Sequence, residues 1–170
     1  MSVPRTYRYL GPPDLRESAG PATQGRRIAT PSDFATWIAE QTAQDLADPF
    51  PYVIDTTGTL RLAPRRSEHV ACAGGEEVLA AGEMGFTREA AGWRARPVSN
   101  HSTGYCPDTT SWPAVATALS HAGLGHDTSF THEVVFRRCP SCHERTIVHE
   151  SHYACAFCDT DLPATWNLDG

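Results

Sequence analysis

Cys139-Pro140-Ser141-Cys142 and Cys155-Ala156-Phe157-Cys158, joined by His143-Glu144-Arg145-Thr146-Ile147-Val148-His149-Glu150-Ser151-His152-Tyr153-Ala154, decide how the C-terminal part of this chain folds. In a CxxC turn the backbone curls so that both sulfurs face one point and amide N–H groups face the sulfurs. Paired turns of this kind supply a tetrahedral four-sulfur site, most simply for one structural zinc ion. The intervening segment reads as a hairpin of Arg145–His149 and His152–Ala154 turning at Glu150-Ser151, which brings the cysteine turns together. Disulfide pairing and a rubredoxin-like iron site are the alternatives. A closed Cys139, Cys142, Cys155, Cys158 site leaves no open coordination position, so it stabilises and does not catalyse. His143, His149 and His152 then read as surface residues. Arg145, His149 and Phe157 are candidates for partner contact, unless the ribbon merely caps the domain.

Upstream, Thr131–Arg138 reads as a strand with Val134 and Phe136 on one face, feeding into Cys139. Downstream, Leu162-Pro163-Ala164-Thr165-Trp166 reads as a tail that docks Trp166. The rest of the 170 residues, with 13 glycines and 13 prolines, favours short elements and a β-rich α+β fold: a single domain with two main helices and the C-terminal zinc ribbon. The boundaries are an N-terminal segment, partly loop, over 1–29, an α+β domain over 30–136, the ribbon over 137–162 and a tail over 163–170.

In the N-terminal segment Tyr7, Tyr9 and Leu10 are expected to pack on the domain, and Glu17–Gly25 reads as a loop. Thr30-Pro31-Ser32-Asp33 predicts a helix start, with Thr30 as cap, Pro31 in the first turn and Asp33 complementing the dipole. Phe34, Trp37, Ile38 and Leu46 give it an apolar stripe, and Pro49 ends it. Pro51–Asp55, a turn at Thr56-Thr57-Gly58 and Thr59–Ala63 predict a hairpin with Leu60 and Leu62 on one face. Glu68–Ala73 reads as a strand broken at Gly74-Gly75. Glu77–Phe86 and Trp93–Val98 follow as strands, with Ala80, Ala81, Gly82 and Gly85 leaving room for a close backbone or a bulge. A second helix is expected over about 111–122, ended by Gly123.

The formal charge of −6 argues against a general nucleic-acid binder, since phosphate neutralisation needs a basic surface. No apolar run approaches a membrane span and Met1–Gly20 lacks a signal core, so a cytoplasmic protein is expected.

Candidate ligand-binding residues sit at strand ends: His69, and Asn100, His101, Ser102, Thr103 and Tyr105 in the polar segment Ser99–Pro107. Glycines leave room there, and hydroxyl, amide and imidazole groups fix a ligand. His69, Glu83 and Tyr105 are the catalytic candidates if the pocket is an enzyme's. Cys106 with His69 or His101 would be a nucleophile and base, without any local protease signature. The opposing readings are a hydrogen-bonded structural His69, a strand-end Glu83 and a Ser102-Thr103-Gly104 turn.

Tyr9-Leu10-Gly11-Pro12, His69, Ala73-Gly74-Gly75, Ala80-Ala81-Gly82 and Ser102-Thr103-Gly104-Tyr105 with Pro107 resemble the conserved domain of plant IQ-motif calmodulin-binding proteins and their bacterial relatives. Those carry "YLGP", "HSSFLSGG…AAG" and "SGHY-x-P". This chain has His-Val-Ala-Cys and Ser-Thr-Gly-Tyr at two of these places and no IQ motif, so calmodulin is not an implied partner. It also resembles a bacterial group ending in a CPxC…CxxC ribbon. Neither resemblance implies a reaction; the first implies that the His69 and Ser102–Tyr105 segments line one site. The expectation is a zinc-binding protein recognising a small ligand or protein partner at that pocket. The rivals are a group-transfer or hydrolytic enzyme and an adaptor acting through its ribbon.

Overall fold

Phe50–Asp55 (β2) is the strand around which the molecule is assembled in the computed structural model, which describes residues 4–169. Its residues Phe50 to Ile54 are all buried, so both faces of this strand are covered. β2 pairs antiparallel with Leu60–Leu62 (β3) through Tyr52↔Leu62 and Ile54↔Leu60, as the hairpin reading expects. Asp55 closes the turn: its carboxylate accepts from the Thr57 and Thr59 amides and from Arg61 Nε, the last at 3.0 Å. Arg26–Ile28 (β1) adds an edge strand beside β3, from within a stretch whose preceding residues read as loop. Also in that N-terminal stretch is a one-turn helix, Pro13–Glu17 (α1).

On the other side of β2 lies Val78–Glu89 (β4), then Gly92–Val98 (β5), giving a five-stranded antiparallel sheet in the order β1-β3-β2-β4-β5. Where β4 passes the end of β5, a Cβ on Gly82 would lie 1.9 Å from the Ser99 carbonyl oxygen, so only glycine fits. The β4–β5 register shifts between Met84 and Phe86, which makes Gly85 the bulge position.

One face of the sheet packs against Pro31–Ala39 (α2) and Trp112–His121 (α4), burying Phe34, Trp37, Tyr52, Met84, Phe86 and Leu119 in one cluster. The opposite face is covered by Tyr7, Val70, Cys72 and Tyr105 against Val53 and Ala81. The fold is α+β and β-rich. No helix among the described residues is long and apolar enough to cross a membrane.

The local sequence signals account for most of these elements. Thr30 Oγ1 accepts from the Asp33 amide at 3.1 Å, and the Asp33 carboxylate accepts from the Thr30 and Ala29 amides, a reciprocal cap at the predicted start. The α2 helix is shorter than the reading to Pro49, ending at Ala39. Thr42 and Asp45 form a second reciprocal cap, at 2.8 and 3.1 Å, which starts a separate 3-10 turn over Asp45–Ala47. Leu46 still packs on the same core from that turn.

The strand expected over Glu68–Ala73 is instead a single helical turn, His69–Cys72 (α3). The Gly74 amide bonds the Ala71 carbonyl and the Gly75 amide bonds the Val70 carbonyl, both glycines with positive φ. This is a glycine-terminated helix end, and it satisfies carbonyls that a strand would have offered to a neighbour. The strand expected over Thr131–Arg138 begins only at Val135 (β6, Val135–Arg138). The preceding residues are held to the main sheet, because the Thr131 amide donates to Val98 O and the Val134 amide to the Asn100 side chain.

Candidate metal centre and the cleft beside it

The Sγ atoms of Cys139, Cys142, Cys155 and Cys158 all lie within 4.8 Å of one another. Cys139 and Cys158 approach to 3.5 Å and Cys142 and Cys155 to 3.6 Å, both across the two turns. Sulfurs arranged tetrahedrally around a zinc at its usual bond length stand about 3.8 Å apart, so the set fits one ion. All four are free thiols, which sets the disulfide alternative aside.

The two turns repeat one backbone pattern. In the first, the Cys139 amide bonds Glu144 O, the His143 amide bonds Cys139 O, and His143 has φ 64°. In the second, the Cys155 amide bonds Thr160 O, the Asp159 amide bonds Cys155 O, and Asp159 has φ 64°. The Ser141 and Phe157 amides point at the Cys139 and Cys155 sulfurs, each at 3.4 Å. The Cys142 amide, aided by that of Ser141, draws the Cys139 thiol below its ordinary value. The Thr160 hydroxyl, then its amide, holds Cys158 near about 6. At Cys142 the Glu144 amide pulls down, but burial and the neighbouring sulfurs hold the thiol up at about 12. Crowded sulfurs resist shedding every proton unless a cation compensates them.

The ribbon's strands pair differently from the expected hairpin. Arg145–Val148 (β7) pairs with β6, through Phe136↔Ile147 and Arg138↔Arg145, so the first cysteine turn is itself the hairpin loop. The turn at Glu150-Ser151 exists, with both residues at positive φ, but closes only a single His149↔His152 bridge. His143, His149 and His152 are exposed.

Arg137 is 5% exposed and meets no carboxylate among the described residues; it donates to the carbonyls of Phe136, Pro163 and Ala164. Asn167 accepts from the Arg138 amide and donates to the Arg138 carbonyl, both at 2.8 Å, extending β6 with a side chain. Trp166 donates to Cys106 O at 2.7 Å and sits edge-on to Tyr7 at 5.3 Å, the docking expected of it.

The candidate ligand residues separate into two groups. Asn100, Ser102 and Tyr105 are buried, and their polar atoms are already engaged. Asn100 donates to Pro107 O and Val134 O and accepts from the Val134 amide. The Ser102 hydroxyl accepts from the Tyr105 amide. The Tyr105 hydroxyl donates to Glu76 O at 2.7 Å, and burial pushes its pKa upward. Tyr105 is thus corrected as a partner of His69: its hydroxyl is spent on a backbone carbonyl, and it does not line the cleft that holds His69. His101 is exposed beside Phe136.

The other group meets in a cleft of about 120 Å³ lined by Tyr9, Glu68, His69, Thr103, Gly104 and Arg145, among others. The Leu10 amide donates to Gly104 O at 2.7 Å, and a Cβ on Gly104 would lie 2.7 Å from the Tyr9 ring. So the Tyr9–Pro12, His69 and Thr103-Gly104 segments meet here. Arg145, from the ribbon, completes the wall and donates to Thr103 O. Tyr9, expected to pack on the domain, lines the cleft, and so does Glu68, which no motif marks as a site residue. The glycines beside and opposite Tyr9, Gly11 and Gly104, are the signal that its ring is tightly held.

His69 Nε2 donates to Gly82 O at 2.8 Å, and burial lowers its pKa, so the ring is neutral near pH 7. Glu83 Oε1 lies 3.8 Å from the same nitrogen, and burial raises the Glu83 carboxyl to about 7. Burial also raises the Cys72 thiol, to about 12, and that of Cys106, so neither is poised as a nucleophile. Neither a family model, nor a curated protein sequence, nor a solved structure matches this chain.

Proposed function

We propose that this chain is a cytoplasmic zinc-binding recognition module, in which one zinc ion on Cys139, Cys142, Cys155 and Cys158 holds the ribbon against the sheet. Ribbon and sheet then frame a cleft at His69, Thr103 and Arg145 that receives a small ligand or a segment of a partner. The observation that carries the reading is the mutual 4.8 Å approach of four free thiols on paired turns. Zinc is preferred to softer or redox-active ions because a closed thiolate site in a reducing compartment suits a structural role. The ribbon has little apolar core of its own, Val148 and Leu162 beside Cys139 and Cys155, so the ion replaces hydrophobic burial.

Elemental analysis of purified protein tests the metal: one zinc per chain is expected. Finding neither zinc nor iron, with folding indifferent to chelators, ends the reading; a coloured iron-loaded protein replaces zinc. Thermal-shift screening of nucleotides and metabolites on wild type and His69→Ala tests the cleft. A shift present in wild type and lost in the variant supports it.

A second reading, an enzyme using His69 and Glu83, is favoured by one feature: a carboxyl raised to about 7 beside a neutral imidazole. Such a pair suits proton transfer near neutral pH. Turnover of any screened compound, abolished in Glu83→Gln while its binding persists, would favour that reading over simple recognition.

A further inference from the structure

Arg145 makes no ion pair among the described residues, although the protein carries a net negative charge. Its Nη1 donates to Thr103 O, and the side chain stands between two cavities, lining both. On the polar side, Glu68 is exposed and likewise has no ion-pair or hydrogen-bond partner for its carboxylate among the described residues. His69 commits its Nε2–H to Gly82 O, and a neutral imidazole so fixed offers Nδ1 as an acceptor. No protein group among the described residues hydrogen-bonds the Tyr9 or Thr103 hydroxyl. The polar compartment therefore presents a cation, a carboxylate, an acceptor nitrogen and free hydroxyls within about 120 Å³.

Across Thr103 and Arg145 lies a second compartment of about 320 Å³, whose apolar wall comes from Cys106, Phe136, Ile147, Ala156 and Phe157. Phe157 is 67% exposed, the most exposed large apolar side chain among the described residues, and an occupant here would cover it. A phosphate or other polyanion is a poor occupant, because Glu68 and Glu144 flank a single arginine. A bare monoanion leaves Glu68 unanswered, and a bare amine leaves Arg145 unanswered.

Resting on the reading of this cleft as a recognition site, we infer that it binds a free α-amino acid with an apolar side chain. The carboxylate meets Arg145 and the Tyr9 and Thr103 hydroxyls. The ammonium meets Glu68 and His69 Nδ1, and the side chain lies against Phe136, Ile147 and Phe157. Arg145 and Glu68 then each face an opposite charge, and the apolar wall is closed from water.

Calorimetric titration of the zinc-loaded full chain tests this with L-leucine and L-phenylalanine, 3-phenylpropanoate, which lacks the ammonium, phenethylamine, which lacks the carboxylate, and inorganic phosphate. Saturable single-site binding of an amino acid is expected, with either truncated analogue weaker by about tenfold or more and phosphate silent. Arg145→Gln and Glu68→Gln should each weaken amino-acid binding by about tenfold or more. Because Arg145 also tethers Thr103, the exposed and unpartnered Glu68 is the substitution that probes the cleft without loosening the fold. No saturable heat with either amino acid at millimolar concentration overturns the inference, as does equal affinity for 3-phenylpropanoate, or indifference to Glu68→Gln. Zinc content and the His69-dependent thermal-shift screen, run on the same samples, separate the failures. Zinc present with a His69-dependent shift by some other compound refutes only the ligand class; zinc absent refutes the metal-braced module itself.

Discussion

The sheet half buries Tyr52, Val53 and Ile54 at successive positions of one strand, all at 0% exposure, because helices cover one face and Tyr7, Val70 and Tyr105 the other. The ribbon, built from two strands of similar length to β1 and β3, has Val148 and Leu162 beside buried sulfurs, with Phe136 of β6 buried in a separate small cluster with Cys106 and Leu168. The first half folds on hydrophobic area, which is non-directional and tolerant of rearrangement. The second depends on ligand geometry and on directed hydrogen bonds such as those of Arg137 to three carbonyls. The difference predicts separable stabilities joined at a few points: Asn100, Arg145 and Trp166.

The hardest blow to that comparison is removal of the ion. Structural zinc sites in small domains are worth about 10–16 kcal/mol, so chelation or Cys142→Ser is expected to unfold the ribbon. Hydrogen exchange should then show β6 and β7 amides unprotected while β2 and β4 keep theirs. Simultaneous loss across both halves would mean that they form one cooperative unit. On the sheet side, Trp37→Ala should cost about 3–5 kcal/mol by chemical denaturation, with zinc content unchanged. Trp37 packs edge-on to Phe50 and Phe86 at 4.9 and 5.4 Å, and no sulfur ligand depends on it.

The joint itself can be cut. Asn100→Ala leaves the Val134 amide and two carbonyls without partners in the interior, a loss of about 3 kcal/mol. Exchange protection should fall in both halves, whereas Trp37→Ala affects the sheet alone. A smaller effect is expected from pH. Glu83 has a folded pKa of about 7, above that of an unfolded carboxyl, so the folded state holds its proton more tightly. Its stabilising contribution is present at pH 4 and fades as pH rises through 7. The side chain is 39% exposed, so solvent screening keeps the effect small. Denaturation midpoints at pH 5 and pH 8 should differ less in Glu83→Gln than in wild type; an unchanged difference would show that the carboxyl is not held up by burial.

How much could be read in advance follows the same division. The cysteine turns were legible because CxxC carries its own geometry within a few residues. The β2–β3 hairpin was legible because its turn, Asp55 to Thr59, is stabilised by its own side chains. His69–Cys72 was not: Val70 and Cys72 are buried with Ala71 between them less so, the alternation of a strand, yet the turn is helical. Four residues are too few for periodicity to choose, and the pairing of Gly74 and Gly75 with helical carbonyls decided it. Likewise Thr42-x-x-Asp45 was a visible cap, hidden by an apolar stripe that ran past it.

Among the candidate residues, those placed by chain-local chemistry and those placed by packing part company. Sequence alone determined the sulfur set, the helix caps and the hairpin, since each rests on interactions between residues close along the chain. Tertiary structure alone decided that Tyr105 turns its hydroxyl to Glu76 while Tyr9, Glu68, Thr103 and Arg145 meet around His69. Those groups come from four segments far apart in the chain, and only the docking of ribbon on sheet brings them within reach of one another.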